Sequence, residues 1–199
     1  MSKDSKKSTS QIKKALKEWG IILGIFGILY FTGLHTEVIG GLQRILLSTG
    51  ILRPDTEIDA SDIKKANFDM PLISLTGDQT SLKESEGKTI FLNFWATWCP
   101  PCIAEMPNIQ GLYEDISENE NIVFVMLSLD EDHEKARAFM KRKEFTMPVY
   151  FLRGRQPGVY NSSVVPTTYI ISPEGDIVME KRGMAKYNTS GFKEFLLSL

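Results

Sequence analysis

Lys88 to Cys102 read KTIFLNFWATWCPPC. The first part, KTIFLNFWA, is an apolar run bounded by polar residues, the pattern of a strand buried on both faces. Downstream, IAEMPNIQGLYEDI places Ile103, Met106, Ile109 and Leu112 at helical spacing. A strand therefore ends at Ala96 and a helix begins at the cysteines. Working outward, NIVFVMLSL predicts a second buried strand, and Asp130 or Asp132 can cap a helix through HEKARAFMKRKEF. MPVYFL predicts a further strand, PTTYIIS and IVMEKR a hairpin across PEGD, and Thr189 to Leu199 a last helix. Upstream, FDMPLISL and TGDQTSL read as short strands with a turn at Gly77-Asp78. Strands alternating with helices and closing on a hairpin predict an α/β sheet covered on both faces.

Cys99 and Cys102 are the only cysteines in the 199 residues. A disulfide closing so short a loop contributes roughly 2 kcal/mol on chain-entropy grounds, against about 4.7 kcal/mol for a loop of 100 residues. A stabilising staple is thus disfavoured. Structural zinc normally needs four ligands, and the only histidines, His35 and His133, stand apart from the pair. No metal site is predicted. Redox chemistry fits the pair better. At a helix start the unpaired N–H groups and the macrodipole favour a thiolate. Pro100 and Pro101 are tolerated there because first-turn N–H groups have no intrahelical partner. They leave the N–H groups of Cys102 and Ile103 to face the Cys99 sulfur. Cys102, three residues on, lies on the same helix face, within reach of a disulfide. The spacing suits an exposed attacking thiol and a resolving thiol.

A net charge of −2 gives no sign of nucleic-acid binding, and Lys141, Arg142 and Lys143 read as a solvated helix face. No phosphate loop or GxGxxG is present. The N-terminus is distinct. Six lysines in residues 1–18 precede the uncharged WGIILGIFGILYFTGL. That asymmetry predicts a cytoplasmic tail over 1–18 and a transmembrane anchor over 19–41 with its core at 19–34. Sixteen residues span only about 24 Å as a helix, against a hydrocarbon core of roughly 30 Å. Extension through Val38, Ile39 and Leu42 would reach. A cleaved signal peptide is the alternative, although no A-x-A-like site follows promptly. Residues 42–67 read as a juxtamembrane helix, lying on the membrane or packed on the domain, followed by a polar linker. The domain proper is 68–199, about 130 residues and enough for one core.

FLNFWATWCPPCIAEMP resembles the thioredoxin superfamily, and more narrowly the membrane-anchored thiol–disulfide oxidoreductases of the TlpA/ResA type. The resemblance covers about Phe68 to Leu199. WC-x-x-C has a proline before its second cysteine, Glu105 and Pro107 form an E-x-P, and Asn93 stands where cytoplasmic thioredoxins carry a buried aspartate. VVPTTYIISPEGDIV resembles the segment carrying the superfamily's cis-proline, here Pro166. The resemblance implies a thioredoxin-like fold, a central mixed β-sheet flanked by helices behind an N-terminal membrane-anchor helix. It also implies a redox-active Cys99–Cys102 disulfide, Cys99 as attacking thiol, Cys102 as resolving thiol and Glu105 as proton acceptor for Cys102. Trp98, Pro100, Val165, Pro166 and Thr167 would form the substrate surface, with Val165 and Thr167 pairing their backbone with a bound peptide. No cofactor is called for.

The implied activity is reduction of disulfides in bacterial envelope proteins, apocytochrome c among the candidates, with a membrane thiol donor and lipid contact through the N-terminal helix. The catalytic domain would then be extracytoplasmic. Oxidase or isomerase activity is an alternative. A Cu(I) carrier using both thiolates is another, but related copper-delivery proteins add a downstream histidine and space their cysteines one residue wider. Trp95 reads as core and His133 as solvent-exposed.

Overall fold

A computed structural model describes residues 16–25, 27, 34–50, 52–54, 63–160 and 163–199. The chain divides into two compact units, residues 1–38 and 39–199. In the first, residues 16–25 are helical, with Leu16, Trp19, Ile21, Ile22, Leu23 and Ile25 exposed. Among the described residues no helix is long and apolar enough to cross a membrane. Residues 26 and 28–33 of the expected anchor, and 1–15 of the expected tail, lie outside the described residues.

The elements are α1 (Leu34–Ser48), β1 (Lys64–Lys65), β2 (Pro71–Ser74), β3 (Gln79–Ser81), a 3-10 turn (Leu82–Ser85), β4 (Thr89–Trp95), α2 (Pro100–Ile116), β5 (Ile122–Ser128), α3 (His133–Lys143), β6 (Val149–Leu152), β7 (Thr167–Ile171), β8 (Asp176–Arg182) and α4 (Ser190–Ser198). One mixed sheet runs β1-β8-β7-β4-β5-β6-β2-β3. β4 lies parallel to β5 and antiparallel to β7, with every residue buried, as its apolar run requires. Alternation along β4 divides the core. Phe91 and Trp95 face the side closed by α2, α3 and α4, whereas Ile90, Leu92 and Phe94 meet Met70, Leu82 and Tyr160 on the other.

Local signals set the helix ends. Asp132 caps α3 by accepting from Glu134 N–H, and Thr189 caps α4 through Phe192 N–H. Gly77, at φ 97°, makes the β2–β3 turn that its position predicts.

Two expectations change, and a third had left two readings open. The polar stretch taken as linker ends in β1, which pairs antiparallel with β8 through Lys64↔Ile177 and Lys65↔Asp176. His133 is half-buried rather than solvent-exposed, its ring stacked 3.7 Å from that of Phe151. The juxtamembrane helix is packed on the domain from Gly40 onward. Gly40 lies where a Cβ would come within 3.2 Å of the Pro100 carbonyl oxygen and 3.3 Å of Ile103 Cγ2. Leu47, two turns later, is fully buried. Past the helix, the Leu52 carbonyl accepts from Lys186 N–H at 2.8 Å.

Candidate active site

The end of β4 and the start of α2 deliver the dithiol. Cys99 is the N-cap of α2 with extended backbone (φ −102°, ψ 101°), and Pro100 and Pro101 fill the first turn. The Cys102 N–H donates to Cys99 Sγ at 3.2 Å. The Ile103 N–H does not reach the sulfur, because it donates to the Cys99 carbonyl at 3.1 Å and begins the helical ladder. One backbone donor, not two, therefore faces the sulfur. Cys99 and Cys102 form a disulfide, with Cα atoms 5.3 Å apart.

Cys99 is 3% exposed and Cys102 fully buried, so the sulfur expected to attack is recessed rather than open. Trp98 beside it is 57% exposed. Trp95, as expected, is core, set against Phe139.

The Val165–Pro166 peptide is cis, as the resemblance implies. Val165 packs against the core cluster that contains Cys99 and Cys102, and Val164 is 47% exposed. The Pro166 carbonyl accepts from Gly183 N–H. Thr167 is fully buried in β7, in register with Phe94 on one side and Arg182 on the other. Its hydroxyl donates to the Val164 carbonyl at 2.6 Å.

Glu105 is fully buried one turn beyond Cys102 on α2. Its Oε1 accepts from Asn93 Nδ2 at 3.0 Å and its Oε2 from Ala185 N–H at 3.1 Å. Burial pushes the carboxyl from 4.5 up to about 8, against the opposing pull of those two donors and of the Lys181 ammonium. Asn93 also donates to Thr168 Oγ1 at 2.8 Å, and Tyr187 donates to the same oxygen at 2.7 Å. Burial holds the Tyr187 phenol well above its ordinary range, and the Glu105 charge adds to this. The polar groups of β4, α2, β7 and the loop after β8 thus converge on Glu105 and Thr168.

Asp130 holds the approach to Cys99. Its carboxylate accepts from Thr97 N–H at 3.0 Å, Thr97 Oγ1 at 2.6 Å and Ser128 Oγ at 2.8 Å. Sequence reasoning considered Asp130 only as a helix cap. Its place at the carboxyl end of β5, beside the carboxyl end of β4, was the signal available. Thr168, Ala185 and Tyr187 carried no local signal.

Residues 63–179 match the AhpC/TSA family. The chain belongs to the AhpC/TSA family. The thiol-disulfide oxidoreductase ResA of Oceanobacillus iheyensis is 36% identical over 129 residues, covering 63% of this chain and 67% of that protein. The thioredoxin-like protein YneN of Bacillus subtilis is 37% identical over 110 residues, 55% of this chain and 65% of the relative. A thiol:disulfide interchange protein of the thioredoxin family from Chlorobium tepidum superposes with a TM-score of 0.55 at 21% identity, over 68% of this chain and 96% of that one. The fold is thioredoxin-like, and this member of the family is a thiol–disulfide oxidoreductase.

Proposed function

We propose that the protein is a membrane-tethered reductant of disulfides in bacterial envelope proteins, working through Cys99-Pro-Pro-Cys102. The Cys99 thiolate attacks a substrate disulfide, forming a mixed disulfide and releasing one substrate thiolate. Cys102 loses its proton to Glu105 and attacks the Cys99 sulfur, forming the enzyme disulfide and releasing the second substrate thiol. Two electrons pass from the dithiol to the substrate, and a membrane-borne dithiol donor restores them. The observation that carries this division of labour is the Cys102 N–H aimed at Cys99 Sγ, beside the exposed Trp98, while Cys102 is wholly enclosed. Trp98, Pro100, Val165 and Pro166 form the rim that meets substrate, and Thr167, fully buried between β4 and β8, supports it from within the sheet. A peptide would meet the exposed Val164 and the half-buried Val165, since Thr167 sits inside the sheet.

Reduction is favoured over oxidation because the segment between the cysteines has no charge and no histidine, and both its residues lack an N–H. The buried Glu105 adds to this once it is ionised. A strong oxidant such as DsbA owes a potential of about −120 mV to a stabilised thiolate, whereas thioredoxin lies near about −270 mV. Tethering rests on the lysine-rich segment followed by the apolar stretch at 19–34.

Trapping in cells decides the assignment. Cys102→Ser should accumulate mixed disulfides through Cys99, and Cys99→Ser should trap none. Adducts held by Cys102 in the Cys99→Ser protein, with none in the other, would reverse the roles. Redox equilibration against dithiothreitol should give a potential below about −180 mV, the isomerase-like value; a more positive one would reverse the direction of electron flow.

A further inference from the structure

Asn93 is a buried amide with a lopsided set of partners. Its Nδ2 serves two acceptors, Glu105 Oε1 at 3.0 Å and Thr168 Oγ1 at 2.8 Å. Its Oδ1 is buried and meets no donor among the described residues. Buried polar atoms of this kind are few, and each asks for an explanation.

Donor and acceptor counts supply one. As a carboxylate, Glu105 only accepts, which suits the two donors it faces, Asn93 Nδ2 and Ala185 N–H. As a carboxylic acid it carries an O–H, which needs an acceptor and would instead meet the Asn93 NH2 group. Turning the amide by a half-rotation exchanges Oδ1 and Nδ2 at nearly fixed positions. The oxygen then accepts from the Glu105 O–H. Thr168 already accepts from Tyr187 at 2.7 Å, so its own hydrogen is free to donate to the same Asn93 oxygen. Glu105 Oε2 keeps the Ala185 N–H as a carbonyl acceptor. Each protonation state of Glu105 thus has one amide orientation that satisfies it, and each orientation leaves the far end of the amide without a partner.

We propose that Asn93 is a positioning residue for the proton on Glu105, its amide turning over as that proton arrives or leaves, with Thr168 as the hinge partner in both orientations. Glu105 could then take up the Cys102 proton during resolution without leaving a buried donor facing a donor. The idea rests on Glu105 as the proton acceptor of the dithiol reaction. The other groups facing Glu105 are Lys181 on β8, which favours the charged form, and Tyr187, which stays neutral far above the range concerned.

Thr168→Val gives a directional test. With the hydroxyl gone, the carboxylate arrangement newly strands one Asn93 N–H, whereas the acid arrangement loses only one of the two donors to the Asn93 oxygen, its far NH2 group being unpartnered with or without the hydroxyl. An orphaned N–H is the costlier of the two. The acid form therefore gains, and the Glu105 midpoint should move upward by about one pH unit. A purely structural disturbance would admit water and move it down, towards the ordinary carboxyl value. Thr168→Ser should restore the wild-type midpoint.

The measurement is a ¹³C-carboxyl NMR titration of the oxidised full-length protein in detergent, with Asn side-chain amides followed in parallel. The Asn93 NH2 protons should lie close to the Thr168 methyl on the alkaline side of the midpoint and move away on the acid side. An unchanged or lowered midpoint in Thr168→Val, or one amide orientation throughout, would overturn the proposal. Insulin reduction by the wild type, assayed alongside, tests the dithiol chemistry separately.

Discussion

Replacing Glu105 by glutamine keeps the shape of the side chain and removes its titration. In the folded protein the carboxyl binds its proton up to about 8, against 4.5 when exposed, because burial penalises the anion. The native state thus holds this proton more tightly than the unfolded chain does. The stabilisation is fully present below 4.5, declines as pH rises and is lost through about 8. The shift corresponds to at most about 5 kcal/mol across that window. Among the described residues the other groups with shifted ionisation lie outside it. Asp78 and Glu174 are lowered, and Tyr150, Tyr160, Tyr187 and Arg182 are raised. Urea unfolding of the oxidised protein at intervals from pH 5 to pH 9 should show wild-type stability falling by several kcal/mol relative to Glu105→Gln. The variant carries any hydrogen-bond cost as a constant offset, so the slope is the readout. Parallel curves for the two proteins would refute the claim that burial governs Glu105.

Asp130→Ala strands the Thr97 N–H and two hydroxyls at a 5% exposed position and should cost about 3 kcal/mol, read by denaturant unfolding. Gly40→Val forces a branched side chain onto the Pro100 carbonyl and should cost about 1–3 kcal/mol. Gly41→Ala meets open space and should gain up to about 1 kcal/mol in helix propensity, so hydrogen exchange across α1 should move in opposite directions in the two variants.

The sequence showed what local pattern controls. The KTIFLNFWA run became β4, and the paired prolines marked the start of α2. What stayed hidden depends on partners distant along the chain. β1 is two lysines with no apolar pattern, and its pairing lies more than a hundred residues away on β8. His133 is half-buried because Phe151 of β6 arrives beneath it. The dithiol was legible, but its burial was not, since enclosure comes from elements brought in by the fold. Glu105 stood out through the resemblance, as the first residue of its E-x-P. Its bonds to Asn93, twelve residues back, and to Ala185, eighty residues on, did not.

The strand order bears on how the chain is made. β1 forms one edge of the sheet and β2–β3 the other, although they are consecutive in sequence. β1 rests on β8 and β2 on β6, so both early segments wait for partners synthesised later. A ribosome delivering this chain from its N-terminus releases the two rims before the centre on which they depend. Residues 64–81 cannot take their places until β6 and β8 have emerged, and closure of the sheet requires nearly the whole domain. The nascent domain therefore remains open through most of its synthesis, a state compatible with passage through a narrow translocation pore. Lysines at the short β1 edge discourage that rim from pairing with another chain meanwhile.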